Sequence, residues 1–150
     1  MSLREKLNDD LKTAMRSGDE LRKNTLRLLL AAVKQAEIDK RPDGALDEAE
    51  IVGVLQKEAK GRRESIADAG KAGRPDLAAG YEAELQIIES YLPRQLTREE
   101  LVEMAKAAIA EAGATDARQS GAVMRLLAPR TKGQADGKLA NEIVRELLTK

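Results

Sequence analysis

Lys132-Gly133 and Gly137-Lys138 bracket a short loop that holds the ingredients of a phosphate cradle: two glycines, two lysines and the start of a helix. Open backbone N–H groups at a helix N-terminus attract anions, and nearby lysines add charge. As a nucleotide loop the match fails. The glycines stand one residue too close for GxxxxGK[ST], Leu139 sits where a hydroxyl would hold magnesium, and no strand leads in. A looser role fits better, with Arg118, Arg125, Arg130, Lys132 and Lys138 drawing in the phosphates of an RNA. Across 118–138 these five cations face Asp136 alone. Asp136 works against the reading, because an N-cap carboxylate takes the same N–H groups and repels an anion. The plainer alternative is a turn carrying solvated charges.

A second basic cluster, Lys57, Lys60, Arg62 and Arg63, lies on one predicted helix. Glu58 precedes Arg62 by four residues and Lys60 precedes Glu64 by four, so the cluster is expected to pair along the helix surface. Arg62 and Arg63 remain candidates for RNA contact. Of the adjacent acids, Asp19-Glu20 and Glu99-Glu100 fall at helix starts, where negative charge is favoured. Asp9-Asp10 occupy a polar helix side, and neighbouring residues do not share one face. Ser65 and Ser120 have no histidine to activate them. Neither a catalytic residue nor a metal ligand set is assigned, and no cofactor is expected.

Composition narrows the classes further. The chain has no cysteine and no histidine, which removes disulfides, thiol chemistry, Cys/His zinc sites and His-dependent triads. Tyr81 and Tyr91 are the whole aromatic set, so stacking platforms for single-stranded nucleic acid are absent. The balance of 26 basic against 26 acidic residues argues against a globally basic nucleic-acid binder. The longest apolar run, Leu28 to Val33, is far too short for a membrane span. With no apolar signal core, and with Glu5, Asp9 and Asp10 near the start, a cytoplasmic protein is expected.

The elements that would carry these residues all read as helices, and no window alternates like a strand. Leu3, Leu7, Leu11 and Ala14 or Met15 form one stripe, closed by Ser17-Gly18. Asp19 caps a second helix that is apolar on most sides from Leu26 to Val33 and is placed in the middle of the first lobe. After a turn at Arg41-Pro42-Asp43-Gly44, Asp47 and Glu50 form a capping box for a third helix, which Gly70 and Gly73 end. Pro75 opens a fourth, in which Leu77, Tyr81, Leu85, Ile88 and Leu92 repeat at helical spacing. Pro93 marks the boundary. Thr97 with Glu100 is read as another capping box, and Leu101, Ala105, Ala108, Ile109 and Ala112 as the inner face up to Gly113. Asp116 with Gln119 caps a helix burying Val123, Met124, Leu126 and Leu127, with Pro129 as its stop. Asp136 caps the last, whose stripe is Leu139, Ile143, Leu147 beside Ala140, Val144, Leu148. The expectation is an all-α protein: an N-terminal bundle of about four helices over 1–92, a linker at 93–96 and a small three-helix lobe over 97–150.

Four segments in this order, Arg62-Arg63-Glu64-Ser65-Ile66, Tyr91-Leu92-Pro93-Arg94-Gln95-Leu96, Gly121-Ala122-Val123-Met124 and Lys132-Gly133-Gln134-Ala135-Asp136-Gly137-Lys138, resemble the YqeY-like proteins over essentially the whole chain. The resemblance implies a two-domain helical protein. It also implies a C-terminal lobe akin to the tail of the B subunit of the tRNA-dependent amidotransferase, where that tail helps to hold tRNA. The B subunit's carboxylate-phosphorylating cradle has no counterpart here, and the glutaminase belongs to a different subunit.

Three functions follow as expectations. The first is a non-catalytic accessory module contacting tRNA or a tRNA-handling protein through the C-terminal lobe, by phosphate attraction and shape. The second is a protein–protein adaptor that never touches RNA. The third, an amidotransferase-type enzyme, is opposed by the missing carboxylate-activating and glutaminase parts. No small-molecule substrate is evident, and the oligomeric state is not legible.

Overall fold

The computed structural model describes residues 1–42 and 44–149, so Asp43 of the expected turn lies outside the described residues. The described residues form seven α-helices and include no strand. The chain divides into two compact units, Met1–Pro93 and Arg94–Lys150.

The first unit holds α1 (Leu3–Ser17), α2 (Glu20–Asp39), α3 (Glu48–Lys71) and α4 (Pro75–Glu89). Each start is specified locally. Ser2 and Asp47 form capping boxes with Glu5 and Glu50, Asp19 accepts the Arg22 N–H, and Pro75 takes the first turn of α4. Gly18 ends α1 in the left-handed region at φ 74°, where a side chain would be strained. Gly70 does not stop α3. It lies inside the helix, which runs on to Lys71, and the left-handed turn comes at Gly73. A helical φ costs glycine only entropy, so its presence alone does not break a helix.

The core of this unit is aliphatic: Leu7 and Ala14 from α1, Leu26, Leu29 and Val33 from α2, Ile51, Leu55 and Ala59 from α3, and Ile88 from α4. Helix α2 packs against α1, α3 and α4, which explains its breadth of apolar sequence. Of the two alternatives for the end of the α1 stripe, Ala14 is buried and Met15 faces solvent. The α4 stripe begins exposed at Leu77 and is fully buried only at Ile88.

Tyr91, just beyond α4, is the one aromatic ring in that core. Its hydroxyl donates to Asp10 Oδ2 on α1 at 2.5 Å and accepts from Arg22 Nη2 on α2 at 3.2 Å. The Lys6 ammonium lies 5.5 Å from the ring centroid, on its π face. Burial, reinforced by the Asp10 carboxylate, pushes the hydroxyl pKa up to about 12, and Arg22 offsets this only in part.

The second unit holds α5 (Arg98–Ala112), a 3₁₀ turn at Ala117–Gln119, α6 (Ser120–Thr131) and α7 (Gly137–Leu148). Its core joins Leu101, Ala105 and Ala108 of α5 to Val123 and Leu127 of α6 and to Ala140, Ile143, Val144 and Leu148 of α7. Small residues on α5 let three short helices close over one another without an aromatic ring. Asp116 and Gln119 cap each other as expected, around the 3₁₀ turn that leads into α6. The Thr97 box is only half formed. Thr97 accepts the Glu100 N–H, while the Glu100 carboxylate turns to Arg94 at 2.8 and 3.0 Å, a bidentate charge pair that outcompetes a backbone amide. Pro129 is likewise not a stop: α6 continues two residues to Thr131. Proline removes one N–H and crowds the carbonyl four residues back. In the last turn that loss is small, and the Thr131 hydroxyl donates back to the Leu127 carbonyl at 3.2 Å.

Two outcomes test this description. Asp47→Ala removes the acceptor of the Glu50 N–H and is expected to cost about 1 kcal/mol in denaturant unfolding. Tyr91→Phe removes a hydroxyl bonded to two charged groups and is expected to cost roughly 1.5–3 kcal/mol. The pH sign follows from the raised pKa. Below pH 10 both states keep the proton; between 10 and about 12 the unfolded chain releases it and the folded one holds it, so stability falls across that window. Tyr91→Phe should flatten that part of the profile. An unchanged slope would refute the assignment.

Candidate nucleic-acid interface

The basic loop between α6 and α7 is built from the end of one helix and the cap of the next. At its start, Thr131 is buried and its carbonyl accepts from the N–H groups of Gln134 at 2.9 Å and Ala135 at 3.1 Å. That reversal needs a left-handed residue, and Gly133 supplies it at φ 81°. At its end, Asp136 Oδ1 accepts the Lys138 N–H at 3.2 Å and caps α7. The helix N-terminus is therefore already served by a carboxylate, which disfavours an anion seated directly on it.

The loop is tied down from one more direction. Gln95 Nε2 donates to the Gly133 carbonyl at 2.9 Å, and the Leu96 N–H donates to the Gln134 carbonyl at 2.9 Å. Leu96 also packs on the core of this unit. Residues 94–96 thus act as a brace for the loop. Gln95 and Leu96 are 38 residues from the loop they hold, so no local spacing marks them.

The seven candidate cations divide sharply by partner. Arg118 is 92% exposed along its side chain but reaches Asp116 at 3.3 Å. Arg130 is held by Glu111 at 2.6 Å. Arg62 lies between Glu58 at 3.3 Å and Glu84 at 2.8 Å, and Arg63 meets Glu89 at 3.0 Å, so both stitch α3 to itself or to the end of α4. The cross-helix partners Glu84 and Glu89 were not part of the sequence expectation. Arg125, Lys132 and Lys138 are exposed and make no ion pair among the described residues. Arg145, seven residues after Lys138 on α7, is a fourth exposed cation of this kind that the sequence reading passed over. Its signal was the seven-residue spacing, which returns to the same helix face.

Arg125 stands on the exposed side of α6 with Gly121, Ala122, Ala128 and Pro129, and the exposed Lys132 directly follows the end of the helix. Nothing lies within 4 Å of where a Cβ at Gly121 would stand. The face is thus low in relief with cations at its middle and end. That suits a phosphate backbone laid across it, with its positive charge free to replace condensed counterions.

Acid–base chemistry finds little to use. A cleft of about 350 Å³ in the first unit, beside Tyr91, contains Lys6 and Glu48. Lys6 lies against the Tyr91 ring, and both Glu48 oxygens accept the Leu3 N–H, at 3.1 and 3.2 Å. Among the described residues no three acids converge as a metal site, and no helix is long and apolar enough to cross a membrane.

Comparison with known proteins gives a family. A family model described as Yqey-like protein matches residues 4–148. The protein named "Altered inheritance of mitochondria protein 41, mitochondrial" from Vanderwaltozyma polyspora is 42% identical over 86 residues, covering 57% of this chain and 46% of the relative. The protein of that name from Eremothecium gossypii is likewise 42% identical over 86 residues, with 57% and 46% coverage. The one from Saccharomyces cerevisiae strain YJM789 is 34% identical over 95 residues, covering 63% and 51%. The chain spans about half the length of the curated relatives it matches. Their names overturn the cytoplasmic expectation, since they are called mitochondrial proteins. The acids behind that expectation, Glu5, Asp9 and Asp10, belong to the folded helix α1 and carry no information about an address. With matched positions running almost from end to end, the chain belongs to the YqeY-like family.

Proposed function

We propose that this protein is a non-catalytic accessory module whose C-terminal unit contacts tRNA, using the outer side of α6 and the start of α7. The observation that carries the reading is the sorting of the cations. Arg125, Lys132 and Lys138 stay exposed without an ion pair among the described residues, while Arg62, Arg63, Arg118 and Arg130 are committed to carboxylates. The contact is to phosphates, with selectivity from the shape of the folded RNA, because the unit offers no aromatic ring for stacking bases. Membership of the YqeY-like family supports the reading through that family's likeness to an amidotransferase tail. Arg62 and Arg63 drop out of the surface, and Arg118 and Arg130 contribute only by exchanging an acidic partner for a phosphate.

Arg125→Glu/Lys132→Glu should leave the helical circular dichroism unchanged, because neither side chain supports the fold. In a titration with total tRNA at low salt it should weaken binding by about tenfold or more and lower the slope of log K against log salt by about 2. Gln95→Ala should weaken binding while keeping the slope, since it loosens the loop and removes no charge. Equal affinity for wild type and the double variant would rule the surface out.

A further inference from the structure

The outer side of α2 carries a second surface. Leu21, Asn24, Leu28, Ala31, Gln35 and Ile38 are all exposed and fall at alternating spacings of three and four. This is the a/d pattern of a two-helix seam, and it runs for roughly 26 Å along one side. Leu21, Leu28 and Ile38 expose 44%, 49% and 40% of their surface, among the largest apolar exposures in the chain. The opposite side of the same helix is fully used, through Leu26, Leu29 and Val33 in the core. One helix thus has two apolar faces, of which its own unit buries one.

The two edges of the exposed stripe differ in charge. Along one edge stand Arg27 and Lys34, exposed and without an ion pair among the described residues. Along the other stands Asp39, in a shallow groove that α2 shares with Glu58 and Lys57 of α3. Among the described residues Asp39 makes no ion pair and accepts a neutral bond from Gln35 Nε2 at 3.0 Å. In an antiparallel pairing the basic edge would meet itself, Arg27 against Lys34. In a parallel pairing the basic edge of each copy meets the edge of the other that carries Asp39.

We propose that this face binds a second copy of the chain, with the two α2 helices parallel about a two-fold axis. Every layer of the seam then meets its own kind: leucine on leucine, Asn24 amide on Asn24 amide, isoleucine on isoleucine. The paired Asn24 amides fix the register, because any slip buries them against apolar side chains. Lys34 of each copy reaches Asp39 of the other, twice by symmetry. The seam is one helix face roughly 26 Å long, so the expected dimer is weak and reversible.

Sedimentation of the full chain from about 1 to 500 µM brackets the dissociation expected for an interface of this size. The expected result is a monomer–dimer equilibrium that Leu28→Glu weakens by about tenfold or more with unchanged helical circular dichroism. Lys34→Asp alone should weaken it, and Lys34→Asp combined with Asp39→Lys should restore it. Because the chain has no native cysteine, Leu21→Cys reports direction. Treated with a short bis-maleimide, whose two rings each take up one thiolate, it should crosslink to itself in the parallel pairing, whereas in the antiparallel one the two sites lie about 25 Å apart. A monomer at every concentration, as expected if this face serves a different helix, would overturn the proposal. So would a dimer indifferent to Leu28→Glu, or one in which Leu21→Cys fails to crosslink.

Discussion

A single phenol group closes the N-terminal unit. Tyr91 follows the last helix of that unit, yet its hydroxyl is shared between a carboxylate on α1 and a guanidinium on α2. The rest of the core is Leu, Ile, Val and Ala, which pack well and have no directional preference. Such a core tolerates small rotations of one helix on another. A short hydrogen bond to a charged group does not, because a partly buried partner left without it costs about 1–3 kcal/mol. Tyr91 therefore sets where the chain leaves the bundle. The Lys6 ammonium on its ring and the Asp10–Arg22 pair around its hydroxyl make it a charged junction on an aliphatic core.

Local features were the legible ones. Caps at Asp19, Asp47, Asp116 and Asp136 are read from the side chain and the next three residues, and all four cap as their spacing implied. Apolar periodicity located the seven helices for the same reason. What could not be read depends on distant partners. Arg130 and Glu111 are 19 residues apart, Arg62 and Glu84 22, and Gln95 and Gly133 38. Before those pairings were known, the paired and unpaired cations of the candidate surface looked alike. Helix α2 reads as apolar on most sides for a related reason: a window average does not reveal that one apolar face meets its own core and the other meets solvent.

Competition between short-range signals accounts for the remaining differences. Thr97 and Glu100 have the spacing of a capping box, but Arg94 is a stronger partner for Glu100 than a backbone N–H and holds its carboxyl below the usual range. Pro129 carries a stop signal whose force depends on how many turns follow it, and here less than one does. In both places the residue type was right and its rank among neighbours was not.

The two tyrosines have one consequence of their own. Both lie in the N-terminal unit, and the C-terminal unit has no aromatic side chain at all. Intrinsic fluorescence thus watches only half of the molecule, while the far-ultraviolet amide signal watches both halves. Melting curves from the two optical channels will superimpose only if the halves unfold as one cooperative block. Any separation between them measures, without a label, how far the aliphatic half stands on its own.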